Sequence, residues 1–124
     1  MDLRVGRVLD VRDHLNAAKL YVLDVDMGPE LGRRQLVAGL KPYMPADALK
    51  GTLIIVVVNL EPAILRGERS DGMLLAAQDG DQVVPLSVAA PMNPGAKVRL
   101  APFGRGRKRP RQSASPVVAA RRPC

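Results

Sequence analysis

Aromatic side chains are nearly missing from this sequence of 124 residues, which has no Trp and only Tyr21, Tyr43 and Phe103. The chain is long enough for one domain with one modest core, and that core must be aliphatic. Cysteine occurs once, at the last position, Cys124. A lone Cys closes no internal disulfide, which excludes a cross-linked framework and fits a reducing compartment. Long apolar runs are lacking too. The longest, LIIVVV at 53–58, is far shorter than the roughly 20 residues that span a membrane. MDLRVGRVLD opens the chain with charges instead of an apolar leader. A soluble, cytoplasmic protein with no membrane partner is expected. Catalytic and metal-binding groupings are also lacking. His14 is the sole His and has no partner at metal-ligand spacing, so a local loop contact is expected of it. Ser70 has no matched base, and Asp24 and Asp26 alternate along a strand and read as solvated. No enzymatic activity, metal or cofactor is expected.

Acidic residues are missing from one region only. The net charge is +7, yet residues 1–103 contain twelve Lys or Arg and twelve Asp or Glu. Residues 104–124 contain seven basic residues and no acid. The chain is a neutral globule with a basic tail, so the overall charge gives the globule no nucleic-acid signal of its own. The tail, GRGRKRPRQSASPVVAARRPC, has no periodicity and little to bury, and is expected to be disordered alone. The domain boundary is placed near residue 103, giving a folded unit over 1–103 and a tail over 104–124.

What is present is a succession of strand patterns. LRVGRVLDVR at 3–12 alternates apolar and polar, and the break at Gly6-Arg7 predicts a bulge or bend. DHLNAA is a loop. KLYVLDVD at 19–26 places Tyr21, Leu23 and Val25 on one face and predicts a second strand. MGPELGRR is a Gly/Pro-rich hairpin connection, and RQLVAG at 34–39 pairs back as a third strand. PADALKG at 45–51 predicts one short helix. TLIIVVVNL at 52–60 is β-prone throughout and predicts a central strand buried on both faces. DGMLLAA at 71–77 is a fifth strand, with Met73 and Leu74 in the core. QVVPL and AKVRL, joined by VAAPMNPG, form a weaker β extension over 80–100. Five strands with one short helix before the fourth fit an all-β, five-stranded barrel of the OB type.

NLEPAILRGERSDGMLLAA at 59–77 stands apart, because Arg66, Glu68, Arg69, Ser70 and Asp71 lie between two halves of the core. Together with LRVGRVLDV, HLNAAKLYVLDVDMG and LVAGL, it resembles the tRNA-binding domain family, over about residues 2–100 in order. Members of that family occur as stand-alone proteins and as domains appended to methionyl-tRNA synthetase and other synthetase-associated proteins. The resemblance implies an OB barrel, noncatalytic binding of tRNA by its folded shape, an aminoacyl-tRNA synthetase as a partner, and a homodimer built through PMNPGAKVRL at 91–100. The scarcity of aromatics agrees, since single-strand binders of OB type rely on aromatic stacking and a folded backbone needs only placed Arg, Lys and polar groups.

Within the resemblance, 59–73 corresponds to the family's signature loop between the last two barrel strands. Arg66 is placed to bond a phosphate bidentately, with Arg69 beside it. Asn59 and Ser70 are candidates to donate to phosphate or ribose; for Asn59, satisfying backbone groups at a strand end weighs equally. Arg33, Arg34 and Lys41 are further candidates, and Arg105, Arg107, Lys108, Arg109 and Arg111 add a nonspecific basic cluster. Two positions depart from the family pattern, where Lys is common: Glu61 is acidic and Ile64 apolar. Those departures keep a second reading open, that of a protein-interaction or chaperone-like barrel with little RNA affinity.

Overall fold

The computed structural model describes residues 1–101. Aliphatic and β-branched runs set the main strands: β1 (Leu3–Asp13), β2 (Tyr21–Asp26), β3 (Arg33–Ala38) and β4 (Leu53–Val57). A small hairpin follows, β5 (Ala63–Leu65) and β6 (Glu68–Ser70), then β7 (Met73–Leu74). Strands β1, β2, β3, β4 and β7 pair antiparallel in the spatial order β3-β2-β1-β4-β7. These are the five barrel strands expected from the sequence, in a nearly closed all-β, OB-like barrel. A second hairpin, β8 (Ala76–Asp79) with β9 (Gln82–Pro85), and a short β10 (Lys97–Val98) on the edge of β1 form the extension.

The core is aliphatic, as the missing aromatics require. Val8, Leu23, Val25, Leu36, Ile54 and Val56 are buried together, each contributing about 1.5–3 kcal/mol on full burial. Tyr21 joins them by turning its hydroxyl onto the Met44 carbonyl at 2.8 Å, which satisfies its polar end. Strand β4 is buried on both faces: Ile54 and Val56 face the core, and Ile55 and Val57 are buried on the other side.

Three local readings change. The bulge lies between Val8 and Asp10, not at Gly6-Arg7. Gly6 instead allows close approach, since a Cβ there would press on Met27 Sδ at 2.6 Å and Val25 Cγ1 at 2.7 Å. The β2–β3 connection holds a one-turn helix, α1 (Gly28–Leu31), besides the expected one, α2 (Ala46–Leu49). Pro29 in its first turn and an Asp26 Oδ1 that accepts the Gly28 N–H at 2.8 Å favour that turn. The strand expected over 71–77 breaks after Leu74, and Ala76–Asp79 is exposed throughout.

Arg4 ties the start of β1 to α1 and to the extension. Its guanidinium reaches Asp2 at 3.0 Å, and Glu30 and the Gly95 carbonyl at 3.2 Å each. The extension docks there through Gly95 N–H to the Val5 carbonyl at 2.7 Å and Val5 N–H to Ala96 at 2.9 Å. Among the described residues no helix is long and apolar enough to cross a membrane. The boundary expected near residue 103 lies outside the described residues.

Gly28 is the tight point of that docking. Its φ is +93°, and a Cβ would fall inside contact distance of the Pro94 carbonyl oxygen. Gly28→Ala is expected to cost about 1–3 kcal/mol, read as a lowered urea midpoint. An unchanged midpoint would mean that the extension does not press on this turn.

Candidate nucleic-acid interface

The polar stretch after β4 is built as a hairpin. Strands β5 and β6 pair Ala63 with Ser70, Ile64 with Arg69 and Leu65 with Glu68, leaving Arg66 and Gly67 as a two-residue turn. Their φ values are +55° and +92°, the pattern of a type I′ turn, whose twist matches the flanking strands. Gly67 adopts this freely. Arg66 is the only non-glycine with positive φ among the described residues, at a cost of about 1–2 kcal/mol. Its side chain is exposed and forms no salt bridge among the described residues.

The base of the hairpin is pinned to the barrel by polar side chains. Ser70 is 2% exposed. Its hydroxyl accepts the Val37 N–H at 3.0 Å and donates to the Gly72 carbonyl at 2.8 Å. This corrects its reading as a surface donor, because the barrel needs it to satisfy two buried backbone groups. Arg34 also turns inward, donating to the Val58 and Asp71 carbonyls at 2.9 and 3.3 Å. Asn59 Oδ1 accepts the Asp2 N–H at 2.7 Å, the backbone role weighed for it. Gln35, which the sequence did not single out, donates to the Arg69 carbonyl at 2.8 Å and to Glu68 at 3.3 Å.

His14 anchors the other side. Its Nε2 lies 2.8 Å from the Leu65 carbonyl, and its Nδ1 lies 3.0 Å from the Asn16 N–H. A carbonyl only accepts and an N–H only donates, so in these two bonds Nε2 donates and Nδ1 accepts. The expected local loop contact is thus also a crosslink between the β1–β2 loop and the hairpin. Among the described residues no group of three or more His, Cys, Asp or Glu is placed to hold a metal ion.

The remaining cations are largely paired across strands. Arg12 meets both carboxylate oxygens of Glu68 at 3.3 and 3.4 Å, and this bond holds the Glu68 carboxyl below its ordinary range. Arg33 pairs with Asp24, whose hydrogen bond raises the Arg33 pKa. Lys41 pairs with Asp13 at 3.1 Å, and Arg69 with Asp71 at 2.8 Å. Exposed pairs of this kind are worth about 0–1 kcal/mol each, so a phosphate can replace the carboxylate at small cost. A broad concavity of about 720 Å3 beside α1 has the wrong sign for phosphate, since its charged lining is Asp26 and Glu30. The structure therefore gathers Arg66, Arg69 and Ser70 on one hairpin, with Arg34 at its base. Arg33 sits at the start of β3, and Lys41 follows that strand. Arg105, Arg107, Lys108, Arg109 and Arg111 lie outside the described residues.

Residues 3–97 match the family described as "Putative tRNA binding domain". The chain belongs to this family. It is 52% identical over 99 residues to methionine--tRNA ligase of Thermococcus onnurineus, covering 80% of this chain and 13% of the ligase. The chain thus spans a small part of the curated relatives it matches. A MetRS-related protein from Pyrococcus horikoshii has a similar structure, with a TM-score of 0.73 and 33% identity over 79% of this chain and 89% of that one. The CsaA chaperone protein from Picrophilus torridus also scores 0.73, with 32% identity over 79% and 91%.

Within the domain, the Ser70 hydroxyl carries the attachment of the hairpin. Ser70→Ala leaves the buried Val37 N–H without its acceptor and is expected to cost about 1–3 kcal/mol. Denaturant unfolding measures the loss, and faster amide exchange at Val37 locates it. Unchanged exchange at that amide would show that another acceptor replaces the hydroxyl.

Proposed function

We propose that this domain binds folded tRNA through its backbone and shape, without catalysis, and serves an aminoacyl-tRNA synthetase as an accessory or appended unit. The family match over residues 3–97 carries this reading. The hairpin supports it with a mechanism. Its base is fixed by Ser70 and Arg34, His14 holds Leu65 beside the turn, and Arg66 stands out in solvent. Such a tip can meet a phosphate with a bidentate, charge-assisted bond and little further ordering. Arg69, Arg33 and Lys41 join by exchanging Asp71, Asp24 and Asp13 for phosphate. Arg105, Arg107, Lys108, Arg109 and Arg111 would add sequence-independent attraction.

One observation favours a protein-binding second reading. Ile64 is 66% exposed beside the tip, and the CsaA chaperone protein from Picrophilus torridus has a similar structure. The two readings separate on the salt dependence of tRNA binding, which a protein-binding module lacks. For the first, Arg66→Ala is expected to weaken tRNA binding by about 1–3 kcal/mol with an unchanged urea midpoint, because the residue packs against nothing that the fold needs. Equal affinity of the variant would take Arg66 out of the site.

We also propose a homodimer. Val84, Leu86 and Met92 lie exposed along the extension, and a second copy of this chain would cover them. Sedimentation at micromolar concentration is expected to give twice the chain mass. A monomer there would contradict the proposal.

A further inference from the structure

One aromatic ring stands exposed in a molecule that has almost none. Among the described residues the aromatics are Tyr21, which is buried, and Tyr43, which is 45% exposed. Tyr43 lies on the connection between β3 and α2, in the sequence KPYMP at 41–45. The backbone of that connection is well anchored. Leu40 is buried in the core, and its carbonyl accepts the Tyr43 and Met44 N–H groups at 2.9 and 3.1 Å. The Tyr21 hydroxyl donates to the Met44 carbonyl. Pro42 and Pro45 fix their own φ and restrict the residues before them. The backbone that carries the ring is thus set in advance, and only side-chain torsions remain to be ordered on binding.

Two cations accompany the ring. Lys41 is two residues away and pairs with Asp13, at the end of β1, at 3.1 Å. Lys19 is exposed and forms no salt bridge among the described residues. It precedes Leu20, whose Cδ2 would lie 3.7 Å from a Cβ built on Gly39. The β1–β2 loop and the Tyr43 loop are therefore neighbours. The His14–Leu65 bond joins the first of them to the hairpin that carries Arg66. Three connections meet at one end of the barrel, with an aromatic ring and basic side chains at its surface. None of these residues belongs to the extension proposed to join two copies.

We propose that Tyr43 is a stacking contact for one unpaired nucleotide of the bound RNA, with Lys41 and Lys19 taking the flanking phosphates. This deepens the tRNA reading above and rests on it. A single ring cannot follow a strand, as the aromatic platforms of single-strand binders do. It can hold one base that is free of the helical stack, of the kind that folded RNAs present in loops and at ends. The base covers the apolar ring, and exchange of Asp13 for phosphate at Lys41 costs little. Selection then favours folded RNAs that set an unpaired base beside a fixed backbone.

The test titrates the full chain with tRNA and with a blunt, fully paired RNA duplex, at several salt concentrations. Tyr43→Ala is expected to weaken tRNA binding about five- to thirtyfold, as loss of one stacked base does. The salt slope should stay the same, because no phosphate contact is lost. Duplex binding should change less than about twofold. Tyr43→Phe keeps the ring and should bind tRNA within about twofold of the unaltered chain. Tyr43→Leu keeps only apolar bulk and should behave as Tyr43→Ala does. Tyr43→Trp gives the chain its one Trp, whose fluorescence tRNA should quench more than the duplex does. A tRNA affinity indifferent to Tyr43→Ala, equal losses for tRNA and duplex, or full recovery in Tyr43→Leu overturns the inference alone. If the unaltered chain fails to bind tRNA, the functional reading falls with it, and that is seen before any variant is made.

Discussion

The Ser70 hydroxyl joins the two edges of an otherwise open sheet. Strand β3 and strand β7 end the ladder β3-β2-β1-β4-β7, and edges like these leave backbone groups without partners. Ser70 accepts from Val37 on β3 and donates to Gly72 just before β7, while Asp71 N–H reaches the Gln35 carbonyl at 2.8 Å. The hairpin that contains Ser70 is thereby fixed as the barrel closes. Folding and presentation of the tip are one event.

That economy shapes the electrostatics. A neutral barrel gains no attraction to RNA from its net charge, and ion pairs occupy six of its twelve cations. Such pairs are cheap to exchange, so the face between β1, β2 and β3 can be neutral alone and cationic toward a phosphate. Arg12 is the exception in kind, because Glu68 meets it with both oxygens and also takes a bond from Gln35. This group braces the hairpin base more than it offers a contact.

The barrel was legible because its strands obey local rules. The run at 53–58 announced a two-faced central strand, and the alternation around Tyr21, Leu23 and Val25 named the inner face. The β5–β6 hairpin was not legible as a hairpin, since Arg66 stands where a type I′ turn usually has Asn, Asp or Gly. The exposed strand β8 has no burial pattern to betray it. Arg66 and Arg69 were found by charge and position, but the inward turn of Ser70 and Arg34 was not. Their partners, Val37, Val58, Gly72 and Asp71, are set by the closure of the barrel, and no local pattern states it.

The hairpin also separates two kinds of evolutionary pressure. The hairpin answers to folding through Ser70 at its base and His14 at Leu65, whereas Glu61, Ile64 and Arg66 project without holding the barrel together. Substitutions at Glu61 and Ile64 touch no buried group, so selection on ligand preference can act there with little opposition from folding. The acidic Glu61 and the apolar, exposed Ile64 are side chains of the kind that such a tolerant cassette admits.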